Sequence, residues 1–244
     1  MTPLNLDLKT RDILVQKITA ALERAVAGSV VLLRGSLAAG TADAFSDIDL
    51  LWEVPDAAFV TAVERIAAAL AQAQPVESLR SAPDFQNSDR RRLFFVQFVD
   101  MPLFWRADID VFARSIHRDT QYDLDNQAAR GGNWSLTHSA LMNAIAAIKA
   151  LLRGKDEVAQ GLLERGFARL GMAAPEGDAP ALILKLAEAA AALDPSKAAL
   201  AASILALHRQ AHLFRDGLAD DAPHFFRLAV GQGIRQPAAE QHVE

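Results

Sequence analysis

Apolar residues recur at helical spacing over Asp12 to Ala27, where Ile13, Leu14, Ile18 and Leu22 share a face and Gly28 ends the run. Ser29 to Leu33 is short, apolar and β-branched, which predicts a strand running into Arg34-Gly35-Ser36 and then a small-residue loop, Leu37 to Ser46. Asp47 to Val54 alternates at its start and predicts a second strand. Pro55-Asp56 marks a turn, and Ala57 to Ala73 reads as an alanine-rich helix. Gln74 to Arg91 is polar with two prolines and reads as loop. Leu93 to Val99 and Leu103 to Phe112 predict two strands joined at Asp100-Met101-Pro102 as a hairpin.

The pattern changes after Ser115. His117 to Asn133 is polar and ends in Gly131-Gly132, read as a hinge. Beyond it only helical periodicity remains. Leu141, Ile145, Ile148 and Leu152 lie on one face, and further helices are predicted over Val158 to Leu170, Ala181 to Leu193 and Ser196 to Leu213. The tail from Gly231 is expected to fray. The expected layout is an α/β (α+β) mixed-sheet domain over residues 1–115, a linker over 116–133 and an all-helical domain over 134–244.

Composition narrows the function. The 244 residues are 51% hydrophobic and 23% charged, as in globular proteins, and alanine favours closely packed helices. A net charge of -5 and a pI near 5.7 argue against long nucleic acid as a partner and suit cationic small molecules. The absence of cysteine excludes disulfides, thiolate catalysis and cysteine zinc sites. The first residues are neither basic nor followed by a long apolar run, and no stretch is apolar enough to span a membrane. A cytoplasmic protein is expected, and its exposed apolar faces would allow a homodimer.

With 30 acidic residues, roughly four acid-x-acid pairs arise by chance. Asp47-Ile48-Asp49 stands above that background because it opens a buried-looking strand while Gly35-Ser36 ends another. Residues i and i+2 of a strand share a face about 7 Å apart. Two such carboxylates can lean together to hold metal ions ~3.5–4 Å apart, the spacing of two-metal phosphoryl chemistry. Gly35 would let the backbone approach a phosphate, and the Ser36 hydroxyl could donate to it. The competing reading is a turn glycine with two solvated aspartates.

Leu33-Arg34-Gly35-Ser36, a ten-residue gap, and Ser46-Asp47-Ile48-Asp49-Leu50 resemble the signature of the DNA polymerase β-type nucleotidyltransferases. Gly40-Thr41 and Ser46 resemble the loop of the small antibiotic-modifying members, the aminoglycoside and lincosamide nucleotidyltransferases, whose catalytic domain precedes a helical one. The resemblance covers about residues 10–115. It implies Mg2+ held by Asp47 and Asp49, a nucleoside triphosphate (ATP by default) positioned by Gly35 and Ser36, and a third carboxylate on a later strand. Asp108 and Asp110, in Ala107-Asp108-Ile109-Asp110-Val111-Phe112, both fit that place. Asp108 is favoured as catalytic base and metal ligand, with Asp110 left open. The implied reaction carries a nucleoside monophosphate to a hydroxyl of a small acceptor, such as an antibiotic, and releases pyrophosphate.

One departure concerns the loop, where many small members carry arginine and this chain has Leu37 and Ala39. Arg34 or Lys149 could replace that phosphate contact; alone, Lys149 reads as a solvated helix lysine. Other acceptors, tRNA or a protein side chain, are compatible with the Arg90-Arg91-Arg92 run, which is otherwise a solvated edge. A binding protein without turnover and a metal-dependent hydrolase are the remaining alternatives. His208 and His212 have helical metal-pair spacing but no accompanying glutamate. Trp52, Trp105 and Trp134 read as packing residues, with Trp134 placed to stack on a base or sugar. Asp216 to Asp221 reads as a solvated acidic loop.

Overall fold

The computed structural model describes residues 6–215. Helix α1 (Leu8–Ala25) starts where the Asp7 side chain accepts from the Lys9 amide, and it buries Leu14, Ile18 and Leu22 as its spacing predicts, while Ile13 of the same predicted face is exposed. Strand β1 (Val30–Leu33) leads into a one-turn helix, α2 (Gly35–Ala38), where the sequence reads as turn and loop. Strand β2 (Ile48–Val54) and helix α3 (Phe59–Ala73) follow as expected.

The segment after α3 is a correction. Val76–Ser81 forms strand β3, paired antiparallel with β4 (Arg91–Phe98). It hides from a periodicity reading because its polar residues belong to an edge strand, and its register shifts between Val76 and Ser78. Strand β5 (Ala107–Ala113) returns antiparallel to β4, so the hairpin holds, with a connection wider than Asp100-Met101-Pro102.

The five strands form one mixed sheet in the order β1-β2-β5-β4-β3, with β2 and β5 parallel and every other pair antiparallel. Alternation sorts the residues of β2 and β5. Ile48, Leu50, Trp52, Ala107, Ile109 and Val111 are almost completely buried. Asp49, Asp108 and Asp110 occupy the opposite face.

Four helices follow: α4 (Leu136–Leu152), α5 (Asp156–Arg169), α6 (Ala179–Leu193) and α7 (Ala198–Arg215). Ser135 and Asp178 cap α4 and α6 through side-chain oxygens. Gly166 on α5 allows Leu186 of α6 to approach so closely that a Cβ there would collide with it. Helix α4 is buried along nearly its whole length, and its apolar residues belong to the same continuous core as those of the sheet. The architecture is thus a mixed-sheet α/β unit followed by helices. Among the described residues no helix is long and apolar enough to cross a membrane.

Candidate active site

The end of β1 and the start of β2 bring the glycine-serine turn against the aspartate strand. The Arg34 amide donates to the Asp49 carbonyl (2.8 Å), which extends the β1–β2 ladder to the turn. Gly35 then takes φ 55°, in the left-handed region, and a Cβ at this position would collide with the Asp49 carboxylate. Both the backbone angle and the close approach therefore require glycine.

Asp49 on β2 is in register with Asp108 on β5. Strands ~4.8 Å apart put two in-register side chains on one face as immediate neighbours. Burial, and then the Asp108 charge, pushes the Asp49 carboxyl above its ordinary range, against the pull of Arg106. Burial likewise pushes Asp108 up, opposed by Arg106 and Arg80. The Arg106 guanidinium meets Asp108 through two 2.6 Å contacts and reaches Asp47 at 3.8 Å.

Asp47, just before β2, is also in contact with the Lys149 ammonium of α4. Lys149 is buried rather than solvated. Burial, and then neighbouring Arg153, pushes its ammonium below the usual range, to about 7, while Asp43 favours the charged form. One turn further along α4, Arg153 forms a bidentate pair with Asp43 at 2.7 Å. Asp43 also accepts from the Ser46 hydroxyl and the Phe45 amide, while Trp105 donates to the Ala44 carbonyl. The loop over residues 41–47 is thereby anchored to both α4 and the approach to β5.

A cleft of about 620 Å3 lies between the sheet and the helices, with Ser36, Asp47, Asp49, Arg106, Lys149 and Arg153 among its lining residues. Gly35, Ser36, Asp47, Asp49, Asp108 and Lys149 thus come together. Asp108 meets the cleft through Arg106. Asp110 and Arg34 turn elsewhere. Asp110 is held by Arg91 through Nε (3.3 Å) and Nη2 (3.1 Å), with Arg34 at 3.6 Å.

Arg91 is a correction to the solvated reading of the arginine run. It is buried, donates to the Thr120 and Tyr122 carbonyls, and lies 4.0 Å from the Phe85 ring centroid. Sequence reasoning also missed Arg106, Arg153 and Asp43. Arg106 had a readable signal, since it precedes Asp108 by two residues and alternation puts both on one face. Arg153 follows Lys149 by four residues on a helix and shares its face.

Among the described residues no three histidine, aspartate or glutamate side chains converge as a closed metal cluster. The His212 side chain, the acidic stretch Asp216 to Asp221 and the tail from Gly231 lie outside the described residues.

No family model matches the sequence, and no curated protein matches it significantly. Solved structures resemble it at low identity. A cytoplasmic RNA terminal U-transferase shares 15% identity at a TM-score of 0.35, over 59% of this chain and 40% of its own. Cid1, an RNA terminal uridylyl transferase, shares 14% at 0.37, over 64% and 47%. A protein from H. pylori provisionally described as a nucleotidyltransferase shares 13% at 0.28, over 88% and 98%. The chain spans less than half the length of the first two. Likeness at this level adds nothing to the geometry, so function must be read from the side chains themselves.

Proposed function

We propose that this protein is a nucleotidyltransferase that moves a nucleoside monophosphate from a nucleoside triphosphate, ATP by default, onto an acceptor hydroxyl. The observation that carries this reading is the seating of Gly35 against Asp49 while Asp49 pairs in register with Asp108. That arrangement seats the glycine-serine turn directly against adjacent carboxylates. Lys149 and Arg153 line the same cleft as Ser36, supplying the positive charge missing from the loop at Leu37 and Ala39.

The triphosphate lies along Ser36 towards Lys149 and Arg153, with its α-phosphorus opposite the aspartates. The acceptor oxygen attacks in line, a new P–O bond forms, the α–β bridge breaks and pyrophosphate leaves. Asp108 takes the proton of the acceptor hydroxyl. The donor set is hard oxygen, which fits magnesium, an ion that typically takes one or two carboxylates with phosphate oxygens. Asp47, Asp49 and Asp108, which do not converge as a cluster in the protein alone, would hold it together with phosphate oxygens, and when bound it would neutralise charge developing on the phosphates. Arg106 and Lys149 neutralise these carboxylates in the protein alone, so both must yield part of their contacts when the triphosphate enters.

Calorimetry of ATP binding with and without magnesium, paired with a pyrophosphate-release assay, tests the reading. Binding should need the divalent ion, and Asp49→Ala should lower turnover by orders of magnitude while the protein stays folded. Tight ATP binding in chelator, or normal pyrophosphate release by Asp49→Ala, would overturn it.

A further inference from the structure

The register of three neighbouring strand pairs draws one line across the sheet. Asp49 on β2 faces Asp108 on β5, Asp108 faces Phe95 on β4, and Phe95 faces Arg80 on β3. In-register residues share a face, so the line leads from the carboxylates to Arg80 over three strand spacings, ~14 Å. Its far end is a stack of aromatic rings and guanidinium groups. Trp134 meets Phe95 edge to face at 5.8 Å. The Arg80 guanidinium lies 4.9 Å from Trp134 and 5.6 Å from Phe95, and Arg106 lies 4.9 Å from Phe95.

Arg80 carries more positive charge here than the fold neutralises. Its Nε and Nη1 are buried with no hydrogen-bond partner among the described residues. Burial, and then the charges of Arg106 and Arg169, pushes Arg80 down to about 10, with Asp108 opposing. Arg169 donates to the Ser139 carbonyl and the Asn143 side chain rather than to a carboxylate. Buried donors left unpaired are costly, and a bound anion would satisfy them and relieve the repulsion between the cations. A planar guanidinium beside half-buried aromatic rings suits a ligand bearing both a phosphate and a flat base.

We propose that this row is the acceptor subsite and that the acceptor is a nucleotide, its phosphate against Arg80 and its base against Trp134 and Phe95. The inference rests on the nucleotidyl-transfer reading for its placement. In-line attack brings the acceptor in opposite the leaving pyrophosphate, and Ser36, Lys149 and Arg153 hold the pyrophosphate end. A cationic amino sugar would be repelled by the same arginines. The nucleotide could be free or the terminus of a single strand, because the recognising chemistry is the same for both.

Fluorescence anisotropy on the full-length chain separates the cases. The probes are a labelled single-stranded RNA of about ten nucleotides, adenosine 5′-monophosphate, inorganic phosphate and kanamycin. The proposal requires that the RNA bind or that the monophosphate bind by itself, and competition between the two shows that they share the subsite. Arg80→Gln and Trp134→Ala should each weaken that binding roughly tenfold or more. For RNA, Arg80→Gln should also lower the salt slope by about 0.7. Magnesium-ATP affinity should stay within about twofold, and the acceptor KM should rise while the ATP KM holds. If Arg80→Gln does not fold, Arg80→Lys and Trp134→Ala decide, since lysine keeps charge but not the stacking plane.

The inference is overturned if neither nucleotide probe binds, if the variants bind as the parent does, if ATP affinity falls in parallel, or if kanamycin is the acceptor used. Absence of magnesium-ATP binding would instead remove the transfer reading. The RNA and monophosphate titrations would still decide whether the row binds nucleotides.

Discussion

Asp108 and Asp110 lie two residues apart on one strand face, yet their partners assign them different work. Asp110 is enclosed by Arg91, with Arg34 beyond it, and serves to neutralise a buried guanidinium. Asp108 abuts Asp49 across the parallel strands, where its charge raises the cost of ionising Asp49. Asp108→Asn should therefore nearly abolish transfer and retain ATP binding, with a smaller loss of stability than at Asp110 because Arg106 keeps Asp47 as a second carboxylate. Asp110→Asn should cost about 3 kcal/mol of stability by stranding Arg91, with turnover surviving in the folded fraction. Single-turnover kinetics and thermal melts on both variants check this. The reverse pattern would make Asp110 the base. The sequence brought the choice down to these two residues, but it could not reveal that Arg91, nineteen positions upstream of Asp110, claims one of them.

At the scale of elements, α4 does more than close the core. Its last turn supplies Lys149 to Asp47, its C-cap residue Arg153 meets Asp43, and near its start His138 is buried. Burial, and then the charges of Arg80, Lys197 and Arg106, pushes the His138 imidazole down to about 4 from 6.5. The unfolded chain therefore binds a proton at His138 before the folded one does. The stability this residue contributes is complete above pH 6.5 and is lost as pH falls towards 4. At ~1.4 kcal/mol per pH unit the loss is on the order of 3 kcal/mol. His138→Gln should flatten the denaturation midpoint between those limits, and urea titrations across that range measure it. An unchanged pH dependence would show that other groups govern acid lability. The helices were legible because their apolar spacing is regular. Strand β3 was not, because a polar edge strand with a shifted register leaves no alternation to read.

For the whole molecule, one wall of the cleft is the loop over residues 41–47, which is fastened to a residue more than a hundred positions later. The Asp43–Arg153 pair makes that link, and half-exposed ion pairs of this kind add little stability, typically below ~1 kcal/mol. Its value is positional. Arg153→Gln should leave the melting temperature within a few degrees of the parent, yet raise the ATP KM severalfold. A steep loss of stability with ATP KM unchanged would show that the pair serves folding alone. Apart from α2 and β3, the order of strands and helices could be read along the chain, whereas this link depends on a distance that no local pattern encodes. For the same reason the sequence pointed to Lys149 as a candidate but not to its burial against Asp47.

The parallel pairing of β2 with β5 has a kinetic consequence. Asp49 and Asp108 become neighbours only when chain segments roughly 60 residues apart close on each other, one of the more entropically demanding contacts in the sheet. The β3–β4 and β4–β5 hairpins can zip locally beforehand, but the carboxylate pair cannot exist until that long loop has shut. Refolding chains should therefore regain secondary structure before they regain the ability to capture ATP. Nucleotide capture would then mark the closing step of folding, and a nascent chain released before β5 would carry both halves of the signature motif without a working site.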